Sequence, residues 1–134
     1  MLSVGIALAI TGLAKLYGAF GNARILEIQD PILGVSYRYL MLIVGLTEIG
    51  ISCLCIIANA QHISVVLVAW IATNFLFYRI GLWFINWRGA CPCLGNLTDA
   101  LHISSRTADN LTKMLLTYMF VGSYIACWRL YRKV

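Results

Sequence analysis

Cys91 and Cys93 flank Pro92 in the stretch NWRGACPCLGNL, residues Asn86 to Leu97, where a long apolar run breaks off. Two thiols one residue apart leave three chemistries open: dithiol redox exchange, soft-metal binding, or none. A disulfide between them closes a very short ring that departs from relaxed geometry and is easier to reduce. Such a bond suits electron exchange better than stapling a fold. Pro92 stiffens the backbone and removes an amide donor, while Gly95 permits a tight turn. Arg88, three residues before Cys91, can stabilise its thiolate. Cuprous copper also accepts two thiolates, which keeps metal handling in play. A zinc site needs four ligands, and with His102 this region offers three at most.

A second group of residues has chemistry of its own. Lys15, Glu48 and Arg79 lie inside apolar runs, where charges are costly. At a rise of about 1.5 Å per residue, all three fall roughly 9–14 Å below one membrane face. The cysteines are at that same face. Agreement in depth predicts one buried ionic cluster, with Glu48 the only acid among two bases and hence a net positive charge. It reads either as a clasp that fixes helix register, or as a device that tunes a thiol, binds an anionic group or conducts protons. Cys53, Cys55 and Cys127 read as small apolar fillers. The first two are two apart on a helix and point away from each other.

The elements that must position these groups are membrane spans. The chain has 134 residues, 61% hydrophobic and 11% charged, with a mean hydropathy of +0.84. A soluble domain is nearer half apolar and a quarter charged. The apolar residues form long blocks, which indicates a single-domain, all-α membrane protein (residues 1–134). Four stretches can cross the bilayer: Leu2–Gly21, Tyr39–Ala58, Ser64–Trp87 and Leu111–Trp128. The first block lacks a basic leader and carries Lys15, so it reads as a retained helix. Residues Gly21 to Arg38 read as a loop with one amphipathic turn. NAQHIS, from Asn59 to Ser64, closes a tight hairpin, and Thr98 and Ser105 are candidate helix caps. Tyr37, Tyr39, Trp83, Trp87, Trp128 and Tyr131 fit interfacial belts. The net charge of +5 points to anionic lipid headgroups, not nucleic acid, because the basic residues flank spans or sit inside them.

Three quoted elements together carry a family resemblance. TGLAKLYGAF (from Thr11) resembles the Gly-x-x-Lys element that opens members of the DoxX-like family. GLTEIGISCL (from Gly45) resembles their second span with its embedded glutamate. CPCLG (from Cys91) is similar to the Cys-Gly-Cys-Phe-Gly element of the MauE branch, the redox-associated methylamine-utilisation membrane proteins. Lys15, Glu48, Cys91, Cys93 and Gly95 match; Pro92 and Leu94 depart from the family's usual Gly and Phe. The resemblance covers most of the chain. It implies a DoxX-like four-helix bundle in the bacterial inner membrane with a role in periplasmic thiol chemistry.

The expected function is therefore thiol–disulfide exchange by Cys91 and Cys93, supported by Pro92, Gly95, Arg88, Lys15, Glu48 and Arg79. Electrons pass to or from a thioredoxin-like protein or a quinone. No cofactor is expected beyond that quinone. Cuprous-ion handling at Cys91 and Cys93 and a non-catalytic place in a larger membrane complex are the alternatives. Orientation pulls two ways. Arg24, Arg38, Arg88, Arg106 and Lys113 on the cysteine side outnumber Arg129, Arg132 and Lys133 on the other, which places the thiols in the cytoplasm. The resemblance implies the reverse, with both termini cytoplasmic and the Cys91/Cys93 loop periplasmic.

Overall fold

The computed structural model describes residues 2–22, 24–57, 61–87 and 102–133. Among these residues four long helices share one core: α1 (Leu2–Ala19), α2 (Tyr37–Ile57), α3 (Gln61–Phe84) and α4 (Ser105–Lys133). A 3-10 turn, Arg24–Glu27, lies between the first two, and no strand occurs among the described residues. Helices α1, α2 and α3 are long and apolar enough to cross a membrane. Helix α4 forms where the fourth span is expected, but does not join that group. It starts six residues earlier, and Arg106, Asp109, Asn110 and Lys113 load its first turns with polar groups.

The buried positions explain the pairing. On α1 they are Val4, Gly5, Leu8, Gly12, Lys15, Gly18 and Ala19, a single stripe at three- and four-residue spacing. On α2 they are Tyr37, Met41, Gly45, Glu48, Ile51 and Ser52. The two stripes meet antiparallel, and α1 packs most extensively against α2, as α3 does against α4. Glycines set the approach. A Cβ on Gly12 would stand 2.9 Å from Ile49 Cγ1 and 3.0 Å from the Gly45 carbonyl, and one on Gly45 would stand 3.1 Å from the Gly12 carbonyl. Close backbone contact through small residues is how helices associate where lipid supplies no hydrophobic drive between them. Hydroxyls add directional links: Ser52 Oγ donates to the Gly5 carbonyl at 2.6 Å, Ser3 pairs with Tyr118 at 3.1 Å, and Thr73 pairs with Tyr124 at 3.0 Å.

Away from the α1–α2 loop the core is apolar: Val4, Leu8, Ile51, Val68, Ile71, Ala72 and Met119, drawn from all four helices. Cys55 packs against it, while Cys53 is exposed; with Cys127 both carry free thiols. The outer faces are studded with large apolar residues such as Ile6, Ile10, Leu13, Ile43, Leu46 and Val66. An apolar exterior over a core with polar residues on its seams is the arrangement a bilayer selects.

The loop between α1 and α2 is more ordered than one amphipathic turn. Asp30 Oδ1 accepts the amides of Ile32 and Leu33 at 2.7 and 2.8 Å, and the Asp30 amide donates to the Val35 carbonyl at 2.8 Å. Gly34 takes a left-handed φ of 65°, and Gln29 bridges Ser36. The result is a small hairpin that lays Ile32 against Gly81 of α3. Tyr37, expected at an interfacial belt, is instead fully buried, whereas Tyr39, Trp83, Trp128 and Tyr131 remain exposed. Helix α4 is capped by Ser104, not Ser105: Ser104 Oγ accepts the Thr107 amide and pairs with the Thr107 hydroxyl. Thr98 and residues 58–60, read as a cap and part of a tight hairpin, lie outside the described residues.

Candidate functional site: a charged cluster between the four helices

Each helix brings a polar group to one end of the core. Lys15 is four residues before the end of α1, Glu48 eleven into α2, Arg79 five before the end of α3, and Asp109 four into α4. Lys15 Nζ donates to Glu48 Oε1 at 2.5 Å, and both side chains are almost wholly buried. The Lys15 ammonium also lies 5.1 Å from the centre of the Phe75 ring on α3, a cation–π contact that helps hold it out of water. Thr11, one turn before Lys15, lies beside the pair, with its hydroxyl donating to the Ala7 and Leu8 carbonyls.

Arg79 does not join Glu48 directly. Its Nη1 donates to Asp109 Oδ1 at 2.9 Å, and Lys113 Nζ reaches Asp109 Oδ2 at 2.6 Å from one turn further along α4. The expectation of Glu48 as the cluster's only acid is thereby corrected. Asp109 faces Arg79 across the α3–α4 seam as a second acid, and with Lys113 beside it the group holds three bases and two acids. The Lys15–Glu48 pair and Arg79 share a cavity of about 50 Å³ lined by Thr11, Lys15, Glu48, Phe75, Tyr78, Arg79, Thr112, Leu115, Leu116 and Met119. Glu48 Oε2 and Arg79 Nη2 are buried with no hydrogen-bond partner among the described residues.

A third polar contact closes this end. Tyr78, one residue before Arg79, donates from its hydroxyl to Asp30 Oδ2, joining the loop hairpin to α3. Asp30 is 2% exposed. Its carboxylate is satisfied by two amides and a phenol, so the hairpin is locked onto the bundle at the level of the cluster.

Asp109 precedes the apolar part of α4 and is partly exposed. The Lys113 ammonium hydrogen-bonded to it holds its carboxyl below the ordinary value; partial burial opposes this, and the Arg79 guanidinium adds to the lowering. A lowered folded-state value means that the pairing contributes stability above the ordinary carboxylate range. That contribution is lost as pH falls through the lowered value. Acid unfolding of the wild type is expected to show this slope and Asp109→Asn to lack it, as measured by thermal unfolding in detergent across acidic pH.

Arg88, Cys91, Pro92, Cys93 and Gly95 lie outside the described residues. The chain approaches them in a defined way. Asn86 takes a left-handed φ of 53°, its amide donates to the Trp83 carbonyl at 3.1 Å, and the Trp87 amide donates to the Leu82 carbonyl at 3.0 Å. This pair of bonds is a Schellman cap, which stops α3 at the end of the bundle that holds the cluster. Among the described residues no group of three or more His, Cys, Asp or Glu is placed to hold a metal. Asp30 and Asp109 were not singled out by sequence reasoning. For Asp30 the available signal is Asp-Pro-x-x-Gly, a turn whose aspartate accepts its own downstream amides. For Asp109 it is the Asp–Lys pair at four-residue spacing. Comparison with family models, with curated proteins and with solved structures gives no match.

Proposed function

We propose that this chain is a membrane thiol–disulfide exchange protein of the DoxX-like type, working through Cys91 and Cys93 at the outer face of a bacterial inner membrane. The observation that carries the reading is the capped end of α3. Asn86 ends the helix at the face above the Lys15–Glu48 and Arg79–Asp109 pairs, and an extended chain tethers Cys91 within about 18 Å of Asn86. A tether of that length supports a dithiol working near the end of the bundle that holds these charges. Arg88 lies between the cap and Cys91 and favours its thiolate.

In the exchange, the Cys91 thiolate attacks a partner disulfide. One S–S bond forms as the partner's breaks, and the partner's leaving sulfur departs as a thiolate. Cys93 then attacks the mixed disulfide, forming the Cys91–Cys93 bond and releasing the partner as a dithiol. Two electrons move from this chain to the partner. Run in reverse, the same steps oxidise the partner and reduce Cys91–Cys93. A thioredoxin-like protein supplies chemistry of this kind, and a quinone is the alternative acceptor.

Trapping tests the reading. Purified Cys93→Ala and Cys91→Ala variants are each mixed with an oxidised thioredoxin-like protein. A reductant-sensitive covalent adduct is expected from one of them and from neither when both cysteines are replaced. No adduct from either single variant would overturn thiol exchange.

A further inference from the structure

The cavity bordered by the Lys15–Glu48 pair and Arg79 sets its own demand on what can fill it. Two of its lining residues carry buried polar atoms of opposite character, Glu48 Oε2, an acceptor, and Arg79 Nη2, a donor, both without protein partners among the described residues. Glu48 as a whole is 1% exposed. A buried polar atom left unpaired is costly, so the site favours a guest that satisfies both. Charge narrows the class. A bare cation here would face Lys15 and Arg79, and a bare anion would face Glu48. A small neutral molecule that both donates and accepts meets no such repulsion. At about 50 Å³ the space suits a few waters and little else.

We propose that this cavity is a proton-exchange site, in which water joins Glu48 Oε2 to the Arg79 guanidinium and Asp109 connects the path to the membrane face. Three features fit that task. Glu48 keeps one oxygen engaged by Lys15 and the other free for a proton. Asp109 is the more exposed of the two acids, with 36% of its side chain accessible, and can pass protons to and from solvent. Phe75 beneath the Lys15 ammonium steadies that charge when its counter-ion is neutralised.

The step is a proton transfer with no change of electrons. A cavity water gives up one O–H bond as one forms at Glu48 Oε2, and takes a replacement proton from the water behind it on the Asp109 side, so Glu48 passes from charged to neutral and no free cation rests in the cavity. The groups that face Glu48 are Lys15 on α1, Tyr78 and Arg79 on α3, and, through Arg79, Asp109 and Lys113 on α4. The site stands apart from the thiol chemistry and does not depend on it.

Infrared difference spectroscopy after an acid jump tests the proposal on the full chain in lipid nanodiscs. Glu48→Gln identifies the Glu48 carboxyl band by its loss. In the wild type that band is expected to appear reversibly on acidification, within the mixing time. Thr112→Leu fills the cavity, and is expected to slow its appearance several-fold while the protein stays folded; Leu116→Phe serves the same purpose if Thr112→Leu does not fold. A Glu48 band that never appears while the protein remains folded would overturn the proposal. So would a rate unchanged by filling the cavity.

Discussion

Glu48→Leu is expected to destabilise the protein by about 3–5 kcal/mol, because it strands the Lys15 ammonium in an apolar interior. The geometry leaves Lys15 no substitute. It donates to Glu48 Oε1 at 2.5 Å, its side chain is nearly inaccessible, and its other close neighbour is the Phe75 ring. Near Phe75, Asn74 is engaged with the Trp70 carbonyl, and Tyr78 donates to Asp30. Lys15→Met should cost a comparable amount by leaving the carboxylate unpaired. The double variant Lys15→Met with Glu48→Leu removes both charges and should recover most of the loss, since an apolar pair of similar volume replaces a buried ion pair with little penalty. Thermal unfolding in detergent measures all three. A double variant no more stable than either single one would mean that the pair's geometry, not its charge balance, holds the seam.

Gly12→Val and Gly45→Val have the next largest expected effects, at about 1–3 kcal/mol each from overpacking. At Gly12 the added Cβ alone would stand within 3.0 Å of the α2 side, where Ile49 Cγ1 is a methylene held beside its branched Cβ and the Gly45 carbonyl is backbone. Neither can turn aside as the tip of a flexible chain can, so α1 must move away from α2. That separation loosens the Lys15–Glu48 contact three residues further along the same seam. Gly50 and Gly122 are the internal controls. A Cβ at either meets nothing within 4 Å, and Ala there should stabilise its helix slightly. Unfolding measurements that ranked Gly12→Val with Gly50→Ala would contradict the close-approach account of the seam.

Much of this architecture was legible in the residues, and the limits are physical. Spans are announced by length and hydropathy, so α1, α2 and α3 appear within a few residues of where the sequence places them. Charge inside an apolar run is an equally loud signal. Lys15 and Glu48, 33 positions apart, were expected to meet because their depths agree, and they do. Rotation about helix axes is quieter. Arg79 shares the expected depth but points across the α3–α4 seam, so it bonds Asp109 while sharing only the cavity with Glu48. Asp109 was passed over because it falls in the polar start of a helix, where a charge looks solvated. Asp30 was passed over for a similar reason: its turn chemistry was plain, but the descent of that turn onto Tyr78 depends on packing that no local pattern encodes.

The thiols give the account its central claim, and one labelling experiment tests it most directly. A variant with Cys53, Cys55 and Cys127 replaced by alanine keeps only Cys91 and Cys93. Intact cells and inverted vesicles carrying it are treated with a membrane-impermeant maleimide before and after reduction. The account predicts labelling of intact cells that appears only after reduction, the mark of an external Cys91–Cys93 disulfide. Labelling confined to inverted vesicles would place the dithiol in the cytoplasm and contradict it.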